Sequence, residues 1–101
     1  MAKPTFTTEN HNEDTLLLIQ GDANVQYSGE LKKFLLQSVS RKGNERLVLS
    51  QATEFDVASA QLAYQWKKKL EQQNRKASIQ LPDNKNLIEL LNKTGITKIL
   101  K

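Results

Sequence analysis

Asp56 is the side chain on which most of the chemistry of this 101-residue chain could turn. It follows the apolar run Leu47-Val48-Leu49 and the segment Ser50-Gln51-Ala52-Thr53-Glu54-Phe55, and it stands where a helical pattern begins. A carboxylate there accepts backbone N–H bonds and complements the helix dipole, which is worth about 0.5 to 2 kcal/mol. The same position also leaves it free to contact a partner. Asp22, Glu30, Glu54 and Asp56 could supply a carboxylate pair for acid–base work, but their spacing gives no sign that two of them meet. His11 is the only histidine and falls in a turn-forming stretch, so no histidine pair is available for a metal and no catalytic triad can be assembled. The absence of cysteine excludes disulfides, thiolate metal sites and cysteine nucleophiles. Gly21, Gly29, Gly43 and Gly95 are too far apart to form a phosphate-cradling loop. These residues point away from an enzyme and predict no metal and no cofactor.

The elements that must position Asp56 follow from periodicity. Phe6 to Asn10 and Thr15 to Gln20 read as two strands around a hairpin loop at His11-Asn12-Glu13-Asp14. Leu16, Leu17, Leu18 and Ile19 form a continuous apolar run, as in a strand covered on both faces, and Gly21 ends it. Ser28 suits a helix cap, and Leu31, Phe34, Leu35 and Val39 then recur on one helical face opposite Lys32 and Lys33, with an end near Lys42-Gly43. Leu47-Val48-Leu49 predicts a short buried strand. After Asp56, the residues Ala58, Leu62, Trp66 and Leu70 repeat every fourth position along a helix ending around Asn74. Ala77 to Leu81 reads as a strand, and Pro82-Asp83-Asn84 as the turn and cap of a helix carrying Leu87, Ile88, Leu90 and Leu91. Gly95 suits a helix end, and Ile96 to Leu100 a last short strand. The order of about five strands and three helices predicts an α/β fold with mostly parallel pairing and right-handed crossovers.

Length allows one modest core, with roughly 60 to 65% of the unfolded surface buried, so residues 1–101 are expected to form one domain with a tail at 1–4. The start Met1-Ala2-Lys3-Pro4 leads into polar residues, with neither a signal region nor an apolar span, which predicts a cytoplasmic protein not inserted in a membrane. Residues 1–59 carry six basic and eight acidic side chains, net −2, whereas residues 60–101 carry nine and three, net +6. The basic half raises nucleic-acid binding, but Lys67-Lys68-Lys69 falls on a helix where such runs form solvated faces, and no aromatic residues interleave the lysines. No nucleic-acid partner is expected.

The segments Leu16-Leu17-Leu18-Ile19-Gln20-Gly21, Ser28 to Val39, Leu49 to Asp56 and Leu90 to Leu100 occur in the order and with the separations of STAS domains, and from about Thr15 onward the chain resembles that family, which includes the anti-sigma factor antagonists. The resemblance implies a single STAS-like domain with a small sheet and helices mainly on one side. It also implies a protein-binding surface made of Gly21, Asp22 and Asn24 together with Asp56, Val57, Ala58, Ser59 and Gln61. The partner so implied is an anti-sigma factor that is also a serine kinase, released when the residue after the aspartate is phosphorylated. Phosphate adds roughly −1.5 to −2 charges beside a carboxylate within a packed interface, where repulsion and desolvation both oppose association.

Here that residue is Val57, whose methyl groups offer no nucleophilic oxygen, so the usual switch is not expected to operate. Ser59 and Thr53 are the alternative acceptors, although two residues along a helix is about 200° of rotation, which keeps Ser59 out of the space taken by Val57. Two more departures stand at Val48, where many members have an acidic residue, and at Asn24, which matches an aspartate of sporulation-type antagonists. The function implied is a regulatory, non-enzymatic interaction module binding an anti-sigma factor or serine-kinase partner. Two alternatives come from the same resemblance: a cytoplasmic accessory subunit of an ABC-type lipid transporter, bound to its ATPase, or a partner in a chemotaxis or histidine-kinase pathway.

Overall fold

The computed structural model describes residues 3–11 and 14–98 in full and residues 99–100 in backbone only. The first strand, β1 (Thr5–His11), is followed by β2 (Asp14–Ala23), a 3-10 turn at Val25–Tyr27, α1 (Ser28–Val39) and β3 (Asn44–Phe55). Then come α2 (Val57–Gln72), β4 (Ala77–Gln80), α3 (Lys85–Lys93) and α4 (Ile96–Leu100). The strands lie in the order β1-β2-β3-β4, with β1 antiparallel to β2 and the other pairs parallel. His11 pairs with Asp14 across the expected hairpin, whose Asn12 and Glu13 lie outside the described residues. Pro4, placed by the sequence reading in a tail, is buried.

One apolar core holds these elements together. Leu17 is in register with Leu47, and Leu47 with Ile79, so these side chains share a sheet face. Against that face pack Leu31, Phe34 and Leu35 of α1, Ala60, Ala63, Trp66 and Leu70 of α2, and Leu87, Leu91 and Ile96. Phe6 of β1 stacks on Phe34 with ring centroids 5.4 Å apart. Leu16 and Leu18 point the other way and are only half-buried, so the apolar run of β2 is covered on one face rather than two. At the amino ends of the parallel strands the buried carboxylate of Glu45 accepts hydrogen bonds from Arg41, at 2.8 Å, and from Arg75. Arg75 also donates to the carbonyls of Ser38 and Gly43, each at 2.8 Å, which ties the end of α1 to the connection between α2 and β4.

Four expectations are corrected. Ile96–Leu100 is a helix, so the described residues form a four-stranded sheet and four α-helices rather than five strands and three helices. Its β-branched residues favour a strand, but strand propensity is realised only against a paired edge. Gly95, at φ 78°, turns the chain directly out of α3 and sends Ile96 into the core beside α2. The strand read as Leu47-Val48-Leu49 extends through Asn44–Phe55 and takes in the whole Ser50–Phe55 segment. Gly21 does not end β2: it sits at φ 87° where the β2–β3 register shifts, and the strand continues to Ala23. A bulge needing positive φ is easily met only by glycine. Ser28 does not cap α1, which instead grows out of a 3-10 turn capped by Asn24.

Candidate partner-binding site

The parallel strands β2 and β3 finish side by side, with Ala23 paired to Phe55, and both chains turn into helices at once. This carboxyl end of the strands is where open α/β sheets commonly form binding sites. Only Asp56 separates β3 from α2. Its backbone is extended, φ −89° and ψ −179°, and its carboxylate faces two N–H groups. Oδ1 accepts from Ser59 N–H at 2.9 Å, capping α2, while Oδ2 accepts from Val25 N–H at 2.7 Å in the 3-10 turn. One side chain therefore fastens the start of α2 to the exit of β2.

Four further bonds join the end of β2 and the turn after it to the end of β3 and the start of α2. The Ser59 hydroxyl donates to the Ala23 carbonyl at 3.2 Å, and Asp56 N–H donates to that carbonyl at 3.3 Å. The Asn24 side chain accepts from Gln26 N–H at 3.0 Å and donates to Glu54 Oε1 at 2.5 Å. Thr53 Oγ1 donates to Asp22 Oδ1 at 2.5 Å. Asp22, Glu54 and Asp56 thus gather at one end of the sheet, and among the described residues none of them is in an ion pair with Lys, Arg or His. That end is acidic and its geometry is fixed by hydrogen bonds.

Every residue that the sequence reading assigned to this surface lies at or beside it, but their accessibility differs. Gly21, Asp22, Asn24, Asp56 and Ala58 are partly exposed, and Gln61 is exposed. Val57, first in α2, is 46% exposed, and Val25 on the other side of Asp56 is 66% exposed. Val57, Gln61 and Tyr64 follow at helical spacing to form an outward ridge on α2. Ser59 is fully buried with its hydroxyl engaged, so it offers no accessible acceptor oxygen. Thr53 is exposed, but its hydroxyl bonds a carboxylate. Sequence reasoning missed Val25 and Glu54 as members of this surface. Val25 carries no motif signal, because its tie to Asp56 spans 31 residues.

No family model matches the sequence, and no curated protein matches it. Solved structures do match its fold. An anti-sigma factor antagonist from Mycobacterium paratuberculosis superimposes with a TM-score of 0.81 at 13% identity, over 95% of this chain and 81% of that one. A Thermotoga maritima protein assigned as an anti-sigma factor antagonist gives 0.72 at 19% identity, over 95% and 83%. The anti-sigma factor antagonist SpoIIAA in its unphosphorylated form gives 0.63 at 8% identity, over 90% and 98%. The fold is that of the STAS domain, the small α/β architecture of these antagonists.

Proposed function

We infer that the protein is a non-enzymatic regulatory module that binds a protein partner at the carboxyl end of its parallel strands, as an anti-sigma factor antagonist does, and that phosphorylation of Val57 is not its switch. The observation that carries this reading is the double acceptor role of Asp56, which ties the N–H of Val25 to that of Ser59 and so fixes two segments whose Val25 and Val57 are exposed apolar side chains near a carboxylate. Apolar residues left in water beside fixed polar groups are what a protein interface needs at its centre. The surrounding Asp22 and Glu54 favour a partner presenting lysine or arginine, since complementary charge steers association and fixes register. An anti-sigma factor or serine kinase is the partner class that the shared fold suggests, in the cytoplasm.

The test is affinity capture from the protein's own cells with the wild-type chain and with Val57→Asp in parallel, recording the intact mass of each bait. The expected result is a kinase or anti-sigma factor held by the wild-type protein, lost with Val57→Asp, and an unmodified bait. Equal recovery on both baits would place binding elsewhere. A bait heavier by one phosphate would show that another hydroxyl has taken the switch. Recovery of a transporter ATPase or a chemotaxis kinase, lost with Val57→Asp, would keep the surface and change the pathway.

A further inference from the structure

The helices α1 and α2 lie side by side over the sheet and leave an open groove between them, some 8 to 18 Å along α2 from Val57 at 1.5 Å per residue. Its floor and walls are Leu35, Leu36, Val39, Leu62 and Trp66, and its charged lining residues are Lys32 and Lys69. The enclosed space is only about 40 Å³. Pockets that enclose whole small molecules run from about 300 to 1,000 Å³ and bury most of the ligand. A groove far below that range and open along one side suits inserted side chains and not a whole ligand, the mode in which an amphipathic helix docks between helices.

Three observations say what chemistry fits. Leu36 is 43% exposed at the rim, an apolar side chain left in water beside other apolar groups. Lys32 and Lys69 line the groove with no acidic residue among its lining, and among the described residues neither is in an ion pair. Trp66, only 3% exposed, has an indole N–H with no hydrogen-bond partner. The ring lines the groove while its N–H is shielded from solvent, so the ring and not the N–H is what an inserted side chain meets. We propose that the α1–α2 groove is a second docking site, which takes an acidic amphipathic helix of a protein partner, with leucine-like side chains on the groove floor and carboxylates on Lys32 and Lys69. This site is separate from the surface around Asp56 and does not depend on that reading.

Trp66 is the only tryptophan, so its fluorescence and its single indole N–H resonance come from one residue of the groove lining. The probe is a synthetic 16-residue helix-forming peptide with leucine at every third or fourth position and glutamate on the flanks, and the control carries lysine in place of glutamate. The acidic peptide is expected to move both Trp66 signals saturably and the lysine peptide not to. Leu36→Asp and Lys32→Glu/Lys69→Glu, both at positions open to solvent, should weaken binding at least tenfold while circular dichroism stays native. Val57→Asp should retain peptide binding even where it loses the partner of the Asp56 surface. The proposal is overturned by no response to the acidic peptide, by equal response to the lysine peptide, or by undiminished binding in the folded variants. The same Trp66 shift on vesicles of mixed phosphatidylcholine and phosphatidylglycerol would assign the groove to a lipid surface instead.

Discussion

Replacing Asp56 by alanine separates its structural role from its contact role. Alanine removes both acceptors: Oδ1, which caps α2 through Ser59 N–H, and Oδ2, which holds Val25 N–H. Loss of an acidic N-cap typically costs about 1 kcal/mol. The second bond is solvent-accessible, so water replaces part of it, and its loss adds about 0.5 to 1 kcal/mol. The expected destabilisation is about 2 kcal/mol, which for a domain of this size lowers the melting temperature by roughly 8 to 16 °C. Asp56→Asn keeps one oxygen acceptor and loses the other, so it should cost about half as much. Urea unfolding followed by circular dichroism measures both, with an unchanged m-value showing that the folded state is intact. Asp56→Ala costing under about 0.5 kcal/mol, or Asn and Ala costing the same, would refute the bridge between the two segments.

Ser59→Ala should cost about 1 kcal/mol in the same urea experiment, because a buried hydroxyl loses its bond to Ala23 while that carbonyl keeps the N–H of Asp56. Mass spectrometry of the purified protein should find no phosphate on Ser59. Glu45→Gln should cost about 3 to 5 kcal/mol, since it leaves Arg75 buried at the sheet's other end without a counter-charge. Gly95→Ala should cost about 1 to 2 kcal/mol by thermal unfolding even though an added Cβ meets nothing within 4 Å, because the penalty comes from positive φ and not from crowding.

The helices were largely legible in the sequence, because burial along a helix repeats at a fixed spacing. Leu31, Phe34 and Leu35, like Trp66 and Leu70, line up on the faces that meet the core. The ends of strands and the last helix were not. β3 reads as three apolar residues because Ser50, Gln51 and Glu54 lack strand character in isolation, yet β2 pairs with it through Ala52, Glu54 and Phe55. The pairing is non-local and overrides propensity. Ile96–Leu100 failed the other way, since its β-branched residues describe a strand, yet the segment pairs with neither edge strand and packs beside α2 as a helix. Of the candidate site, the position of Asp56 at a helix start could be read from the chain. Its second bond to Val25 could not, because that contact exists only once β2 and β3 lie side by side.

The continuity of β3 also explains how the charge asymmetry of the sequence becomes one of space. A single strand runs from Glu45, held by Arg41 and Arg75, to Phe55, beside the carboxylates of Asp22, Glu54 and Asp56. Because α2 runs back along the sheet, its lysines 67–69 fall toward the opposite end from Asp56. A partner meeting the Asp56 surface therefore faces negative charge, and one lying in the α1–α2 groove faces Lys32 and Lys69. A partner spanning both would need basic groups at one end and acidic groups at the other, and could dock in only one direction. With one residue between β3 and α2, and its carboxylate already bonded twice, the surface has little slack to adjust. A partner of the proposed kind would meet a preformed shape at this end, and its regulation is then expected through what competes for that surface and not through its rearrangement.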